Sequence, residues 1–454
     1  MTSEPSDVAY SSPQGNRRLV VRTDDSGVDL WHVPHHTFRY ASAGRPIPVV
    51  TMRLTDPAVE VHWDPEFPYI PAAGWDDHGP YAVVQTRDQR RLRILAIEDD
   101  GTTRILAEDT DPCWTTVVPG LPARTPSGAL LWHAGRRLTV DGTPVTPDGL
   151  FVKEVTGVDG ETVHFTGWSD PTALRGWSYS PGSGTALRVL AEKEREAPVL
   201  ELRRERLVLG PRALRAHLFL PSWHRGERLP VLLDPYAGPS RQRVTDAFDW
   251  HDPVSQWFAE AGFAVLVTDG AGTPGRGPAW EREIHGDLLG PVLADQISAL
   301  ECVASMYPFL DRQRVGIRGW SFGGTLALYA VLRRPDLFHA AVAGAPITDQ
   351  RTFHAYVRER HLGHPATFPD RYAAADLVAL APELRRPLLL MHGTEDTTVH
   401  PSNTERMAAA LRSAGIEHEV SMIEGMGHSV IGLAGSEGVL EQQLAFLQRT
   451  CLGG

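Results

Sequence analysis

The chain has 454 residues, of which 42% are hydrophobic and 22% charged, and its 44 basic and 56 acidic residues give a net charge of −12. This length exceeds what one ordinary core needs, so two domains are expected. The acidic balance argues against nucleic acid or an anionic membrane surface as the main partner, and no apolar run is long enough to cross a bilayer.

The compartment is inferred from the N-terminal residues and the cysteines. Residues 1–10 are polar and acidic, with neither a basic n-region nor an apolar core, so no secretory signal is predicted. The three cysteines, Cys113, Cys302 and Cys451, are far apart, which favours a reducing cytoplasm over a disulfide scaffold. The histidine-containing stretch at residues 31–36 is interpreted as surface rather than as a metal site, and neither a metal nor a cofactor is expected.

Residues 1–190 have the pattern of an all-β domain. Turn pairs such as Asp100-Gly101 and Asp141-Gly142 favour tight reversals, and no helical periodicity persists beyond a turn or two. Short apolar runs occur at residues 18–22, 81–85, 92–96 and 162–166. The pattern predicts a sandwich or a propeller.

The second half has a different pattern. Residues 191–198 are charged and end in proline, and they are predicted to be a linker. Predicted strands lie at residues 230–234, 264–268, 314–318, 340–343, 387–391 and 419–423. Predicted helices lie at residues 254–261, 292–306, 325–332, 403–414 and 439–448. This alternation predicts an α/β domain at 199–454, with a mostly parallel sheet covered by helices on both faces.

A single G-x-S-x-G pattern occurs at residues 319–323 and places Ser321 at its centre. The glycines allow a sharp turn between a strand and a helix, and the serine there takes a strained backbone geometry. A predicted strand ends just before the pattern, and a predicted helix begins just after it. The pattern therefore predicts a nucleophilic serine, and the alternative is an ordinary glycine-rich turn.

A serine nucleophile needs a base that is oriented by a carboxylate, and in this fold the chain order is serine, acid, histidine. Asp396 follows a predicted strand and is the favoured acid, with Glu395 as the competing carboxylate. His428 lies in a glycine-bounded loop after the last predicted strand and is the expected base. Two other histidines, His392 and His400, fit structural roles around the acid loop.

The oxyanion formed during acyl transfer needs hydrogen-bond donors. The backbone N–H of Phe322 follows the nucleophile directly and is one candidate. Tyr236 follows an early strand and could supply a hydroxyl, and the alternative is a packed loop tyrosine. A G-x-G-x-x-G pattern at residues 270–275 also follows a strand, but Pro274 is a poor start for the helix that would bind a pyrophosphate.

Five motifs keep the order and spacing of a known family. They are LDPYAGP (233–239), DGAGT (269–273), GWSFGG (319–324), HGTED (392–396) and GH (427–428). Together they resemble the prolyl oligopeptidase family, in its dipeptidyl peptidase IV branch. The resemblance implies an α/β-hydrolase domain with Ser321 as nucleophile, Asp396 as acid and His428 as base, and Tyr236 with the Phe322 N–H as the oxyanion hole.

The resemblance also implies a substrate pocket, in which this chain departs from the family. The implied pocket residues are Ile347, Gln350, Phe353, Val357, Thr398 and Val399. Gln350 stands where the family usually has tryptophan, Val357 where it has tyrosine, and Thr398 where an asparagine holds a substrate carbonyl. Ala271 replaces an arginine, while Phe322 and Phe353 keep an aromatic wall. Cleavage after X-Pro dipeptides is therefore weakly supported.

Upstream, residues 40–46, 85–90 and 108–114 resemble the later blades of the family's propeller. Family propellers have seven or eight blades of roughly 45 residues, and 190 residues make about four. No Glu-Glu pair, which in the family grips a free amino terminus, occurs before residue 190. A partial propeller exposes strand edges. We therefore expect a shortened enzyme with a wide entrance, two half-propellers paired in a homodimer, or a chain that starts further upstream.

Three functions follow from these patterns. The first is a serine peptidase, aminopeptidase-like, that acts on short peptides through a Ser-His-Asp triad and an acyl-enzyme. The second is an esterase, thioesterase or acyltransferase that uses the same residues on a small acyl metabolite. The third is a non-enzymatic interaction protein, which the complete set of triad residues argues against.

Overall fold

The computed structural model describes residues 6–135, 137–169, 174–180, 187–189, 202–245, 248–429 and 436–453. The predicted linker at residues 191–198 lies outside the described residues. None of the helices in the described ranges combines the length and apolar character needed to span a bilayer.

The regular secondary structure described for the N-terminal part consists of β-strands. The strands are β1 (Ser6–Ser11), β2 (Arg18–Asp24), β3 (Leu30–Val33), β4 (His36–Arg39), β5 (Val49–Thr55), β6 (Ala58–Glu60), β7 (Tyr69–Asp76), β8 (Gly79–Gln85), β9 (Arg91–Ile97), β10 (Thr103–Thr110), β11 (Ala123–Arg124), β12 (Leu130–Ala134), β13 (Arg137–Val140), β14 (Thr143–Pro144), β15 (Leu150–Asp159), β16 (Thr162–Ser169), β17 (Arg175–Tyr179) and β18 (Arg188–Val189). They form four antiparallel four-stranded sheets, ordered β1-β2-β5-β6, β10-β9-β8-β7, β11-β12-β13-β14 and β15-β16-β17-β18, plus the hairpin β3-β4. Four consecutive blades agree with the predicted partial propeller.

The sequence explains these strands locally. In β5 the side chains of Met52 and Leu54 are buried while their neighbours are exposed, which is the period of two that one buried sheet face requires. The turn between β13 and β14 uses Asp141 and Gly142, both with positive φ, at 47° and 76°. This conformation is that of the tight hairpin turn predicted there.

The C-terminal part alternates strands with helices. Its strands are β19 (Arg204–Leu209), β20 (Leu214–Phe219), β21 (Leu229–Leu233), β22 (Ala264–Asp269), β23 (Leu310–Trp320), β24 (Ala340–Gly344), β25 (Leu388–Gly393) and β26 (Glu419–Ile423). Its helices are α1 (Asp252–Glu260), α2 (Pro278–Arg282), α3 (Gly290–Met306), α4 (Phe322–Arg333), α5 (Ala355–Leu362), α6 (Pro369–Ala374), α7 (Ser402–Ser413) and α8 (Ser436–Leu447). Short 3₁₀ segments lie at Gln350–Thr352 and Val378–Glu383, and a π-helical turn at Gln448–Gly453.

One eight-stranded sheet organises this half, in the order β19-β20-β22-β21-β23-β24-β25-β26. From β22 to β26 every pairing is parallel, and the hairpin β19-β20 is antiparallel. Alternate residues of β21 enter different cores: Val231 and Leu233 pack with α3, α4 and α7, and Leu232 packs with α1 and α8. Helices on both faces confirm the predicted α/β-hydrolase class.

The two halves are joined at helix α5. Backbone hydrogen bonds run from Ala355 N to Ala41 O at 2.7 Å and from Ala43 N to Phe353 O at 3.0 Å. The buried carboxylate of Glu359 accepts hydrogen bonds from Gly44 N at 2.8 Å and from the guanidinium of Arg87 at 2.7 and 2.8 Å. The blades therefore fix the position of α5, which had not been predicted.

Candidate active site

Ser321 occupies the tight turn between β23 and α4. Its φ of 58° and ψ of −117° lie outside the regions that a serine prefers. A Cβ at Gly319 would overlap the backbone of Gly323, and a Cβ at Gly323 would lie 2.5 Å from the carbonyl oxygen of Pro235. Only glycine fits at both positions, as the G-x-S-x-G pattern predicted. Helix α4 begins at Phe322, three residues earlier than expected.

The structure brings Ser321, His428 and Asp396 together. Nε2 of His428 lies 3.0 Å from Oγ of Ser321, and Nδ1 of His428 lies 2.7 Å from Oδ2 of Asp396. An ionised aspartate can only accept, so Nδ1 carries the hydrogen and Nε2 is left to accept from the serine hydroxyl. Trp320 Nε1 donates to the backbone carbonyl of His428 at 2.8 Å and thereby holds the histidine loop.

Asp396 is buried and stays ionised. Burial acts to raise the pKa of its carboxyl, but hydrogen bonds from His392 and His428 outweigh burial and bring the pKa from 3.8 to about 2. Its other oxygen, Oδ1, accepts from the N–H groups of Thr398 at 2.8 Å and Val399 at 2.9 Å. These bonds fix the carboxylate in the orientation that His428 needs.

The competing residues are engaged elsewhere. Glu395 accepts from the backbone N–H of His35 at 3.2 Å and lies 3.2 Å from its Nδ1. His392 contacts the Thr404 hydroxyl and the Val399 carbonyl, and its Nε2 lies 3.3 Å from Asp396. His400 contacts Ser402 and the backbone carbonyl of His32. The structure places none of these three side chains between Ser321 and Asp396.

The sequence predicts two donors to the oxyanion, the Phe322 N–H and the Tyr236 hydroxyl. The N–H of Phe322 is at the first position of α4, where backbone donors have no partner within the helix. Tyr236 follows β21 and lines the same cavity as Ser321 and His428. The rings of Tyr236 and Phe322 are 6.3 Å apart. Both residues therefore lie near Ser321, and their role as oxyanion donors stays a prediction.

The cavity at Ser321 has a volume of about 460 Å³ and contains residues that the sequence did not predict. Its other lining residues are Ser240, Arg241, Trp250, His251, Arg318, Trp320, Ser429, Leu440 and Gln443. Arg241 lies over the Trp250 ring at 5.0 Å and contacts Nδ1 of His251 at 2.6 Å. Residues 250 and 251 lie some seventy positions before the nucleophile in the sequence, and no local motif connects them to it.

The six predicted pocket residues are not in the lining of that cavity. Ile347, Gln350 and Val399 are buried, at 3%, 0% and 1% exposure. Phe353 and Val357 are half-buried. Thr398 is exposed, and its backbone carbonyl accepts a 2.9 Å hydrogen bond from the hydroxyl of Tyr40, which belongs to the blades. The assignment of these six residues to a substrate pocket stays a prediction.

The glycine-rich loop at residues 270–275 is held by hydrogen bonds to helix α3 and within the loop itself. The N–H of Ala271 donates a hydrogen bond to Asp295 at 2.8 Å. The hydroxyl of Thr273 donates to the backbone carbonyl of Gly270 at 2.7 Å and closes the turn. The next helix, α2, has five residues and begins with Pro278. A helix of this length does not match the longer helix that binds the pyrophosphate in a dinucleotide site.

Comparison with known proteins found a family that matches part of the chain. Residues 249–453 match the prolyl oligopeptidase family. The chain is 33% identical over 209 residues to mouse dipeptidyl peptidase 8, covering 45% of this chain and 23% of the relative. It is 29% identical over 219 residues to human prolyl endopeptidase FAP, covering 47% of this chain and 28% of the relative. The matched region is thus about a quarter of each relative's length.

The shared fold reaches beyond the matched region. The crystal structure of Porphyromonas gingivalis dipeptidyl peptidase 4 superposes with a TM-score of 0.88 and 21% identity, over 98% of this chain and 74% of that chain. The crystal structure of a putative dipeptidyl aminopeptidase IV from Bacteroides ovatus superposes with a TM-score of 0.84 and 19% identity, over 97% of this chain and 76% of that chain. The blades and the α/β-hydrolase half both correspond to this fold, and the chain carries, at residues 249–453, a domain of the prolyl oligopeptidase family.

Proposed function

We propose that this chain is a serine peptidase that cleaves short peptides through an acyl-enzyme, with Ser321, His428 and Asp396 as its catalytic residues. The observation that carries the proposal is the continuous hydrogen-bonded path from Ser321 Oγ to His428 and on to Asp396, at 3.0 and 2.7 Å. The strained turn that presents the serine supports it, because such strain is typical of functional positions.

The chemistry follows from the positions of these groups. As Ser321 Oγ attacks the peptide carbonyl, His428 Nε2 takes the hydroxyl proton and Asp396 stabilises the resulting imidazolium. The Phe322 N–H and the Tyr236 hydroxyl donate to the oxyanion of the tetrahedral intermediate. His428 then gives its proton to the departing amine, and water releases the acyl group by the same steps in reverse.

A peptide as substrate is supported by the relatives, which bear the names dipeptidyl peptidase and prolyl endopeptidase. We assign the catalytic domain to residues 199–454 and the propeller-like domain to residues 1–190. The sparse cysteines favour the cytoplasm as location.

The acyl group of an ester or thioester could occupy the same site. The predicted pocket positions that depart from the family, such as Gln350 in place of tryptophan, motivate this second function, because they weaken the case for a substrate of the family's kind.

Two reagents test the function. A fluorophosphonate probe should label the folded protein at Ser321, and aminoacyl or dipeptidyl chromogenic amides should be hydrolysed. Ser321→Ala should abolish both signals, while Ser305→Ala, on the exposed end of α3, should keep them. Turnover that survives in Ser321→Ala would contradict the assignment of Ser321 as the nucleophile. Faster cleavage of simple acyl esters than of every peptide amide would establish the second function instead.

A homodimer is also proposed, since strand β1 lies at the edge of the first blade and Val8 on it is 51% exposed. Pairing of this edge with a second copy would satisfy its backbone groups. A native mass of one chain at micromolar concentration would contradict this proposal.

A further inference from the structure

A buried arginine on helix α5 carries an uncompensated charge. Arg358 is 2% exposed, and its Nε and Nη1 atoms are buried without a hydrogen-bond partner. Burial lowers the pKa of this guanidinium to about 10, so it stays protonated at neutral pH. A buried cation without an anion is costly, and such a group needs an explanation.

The neighbours of Arg358 do not neutralise it. The groups with which it interacts electrostatically are the hydroxyls of Tyr372, Tyr40 and Tyr236, none of which is a carboxylate. Its Cζ lies 4.7 Å from the centre of the Phe353 ring. Glu359, the next residue, is already paired with Arg87. In the ranges that the structure describes, no carboxylate forms an ion pair with Arg358.

These neighbours place the guanidinium beside the proposed catalytic site. Tyr236 lines the cavity of Ser321, and the Tyr40 hydroxyl bonds to the residue two positions after Asp396. Phe353 is half-buried and covers the guanidinium. Arg358 is therefore close to Tyr236 and to Tyr40, whose hydroxyl bonds to the acid loop.

A second polar atom without a partner lies in the same segment of the chain. Gln350 is fully buried, and its Nε2 donates to the carbonyl of Ile347 at 3.3 Å, while its Oε1 has no hydrogen-bond partner. Buried polar atoms usually have partners. Two such residues, eight positions apart, indicate that this segment is built to receive polar atoms from outside the chain.

We propose that Arg358 is a specificity-determining residue that binds a carboxylate of the substrate, carried by an acidic side chain on the residue whose carbonyl Ser321 attacks. The carboxylate displaces the half-buried Phe353 ring and accepts hydrogen bonds from the free Nε and Nη1 atoms. Such charge-assisted bonds to a guanidinium are the strong ones among protein hydrogen bonds. This proposal rests on the peptidase function proposed above.

Two matched substrates test the proposal in the active enzyme. Dipeptidyl chromogenic amides with Asp or Asn before the scissile bond differ in charge but hardly in shape. We expect kcat/KM to be about tenfold or more higher for the Asp substrate, since hydrogen bonds to charged groups contribute that much. Arg358→Gln should abolish the preference by raising KM for the Asp substrate alone. Arg406→Gln, on the exposed side of α7, should retain it. An equal loss on both substrates would overturn the proposal.

Binding without turnover separates this proposal from the peptidase function. In Ser321→Ala, calorimetry with the dipeptides Ala-Asp and Ala-Asn should show tighter binding of Ala-Asp by about tenfold. This measurement keeps Arg358 in place and therefore does not depend on a variant of it folding. Equal affinity for the two dipeptides would overturn the proposal. Preferential binding of Ala-Asp by a protein that hydrolyses no peptide would support the carboxylate site and contradict the peptidase function.

Discussion

The hydroxyl of Tyr40 donates a 2.9 Å hydrogen bond to the backbone carbonyl of Thr398, two residues after Asp396. The donor belongs to the blades and the acceptor to the loop that holds the proposed catalytic acid. Thr398 also donates its N–H to Asp396 at 2.8 Å. One bond across the two halves of the chain therefore supports the orientation of the carboxylate.

Removal of this hydroxyl should lower the activity. In Tyr40→Phe the ring remains and the bond to Thr398 is lost, which is worth about 1 kcal/mol, or roughly a fivefold fall in kcat/KM. Steady-state kinetics on a dipeptidyl amide measure the fall. Tyr10→Phe, far away on β1, is the control and should be neutral. Equal kinetics for Tyr40→Phe and the unmodified chain would show that the acid loop does not need this bond.

The sequence was sufficient for the parts of this fold that depend on local pattern. Strands β21, β22, β24 and β25 are largely apolar and buried, and all six predicted strands lie within a few residues of their observed bounds. The turn at Ser321 could be predicted because its close backbone contacts require glycine at positions 319 and 323. Helix α5 was missed because its sequence, AYVRERHL, has no apolar stripe. It is held by bonds from Ala41, Ala43 and Gly44, which are distant in sequence.

The cavity could not be predicted for a similar reason. Trp250 and His251 lie in the loop before α1, far from Ser321 in sequence, and line its cavity only in the folded chain. Asp396 and Glu395 are adjacent and chemically alike, and only the fold turns one toward His428 and the other toward His35.

The charge of Asp396 should appear in the pH dependence of stability. Its pKa falls from 3.8 when unfolded to about 2 when folded, so its contribution is present above pH 4 and is lost as the pH falls through 2. The contribution is about 2 kcal/mol. Denaturant unfolding of the unmodified chain and of Asp396→Asn, at pH 7 and pH 2, measures it. The stability gap between the two should shrink by that amount at pH 2. A gap that does not change with pH would contradict a lowered pKa.

Asp396→Asn should also impair catalysis. The amide can present its N–H₂ to His428, which favours the tautomer whose Nε2 cannot accept the serine proton. In a triad of known mechanism this exchange costs about 10⁴ in kcat, and we expect a loss of at least about 10³ here. The Glu395→Gln variant is the matched control and should keep most of the activity, because Glu395 faces His35.

The turn at Ser321 should not tolerate a methyl group. In Gly323→Ala the new Cβ would lie 2.5 Å from the carbonyl oxygen of Pro235, next to Tyr236. The loop must then move away from the nucleophile, and we expect a loss of about 2 kcal/mol or more in stability together with loss of activity. Thermal unfolding and fluorophosphonate labelling measure the two effects.

Gly438→Ala provides the control for that substitution. Gly438 lies within α8 and has open space around the position of a Cβ. Alanine there should stabilise the helix by up to about 1 kcal/mol. If Gly323→Ala unfolded at the same temperature as the unmodified chain, the close approach of the two loops would not be a constraint on the site.

The ion pair between Arg87 and Glu359 should couple the blades to the catalytic half. The side chain of Glu359 is 1% exposed. Its carboxylate accepts hydrogen bonds from Nε and Nη2 of Arg87 and from the N–H of Gly44. In Arg87→Ala a buried carboxylate loses its counter-ion, which costs about 3 kcal/mol in comparable buried pairs; because Arg87 is partly exposed, a smaller loss of about 1–2 kcal/mol is expected here. Thermal unfolding should therefore shift to lower temperature, and limited proteolysis should cut near residues 40–45 first. Arg17→Ala, which breaks an exposed pair with Asp99, should leave both measurements unchanged.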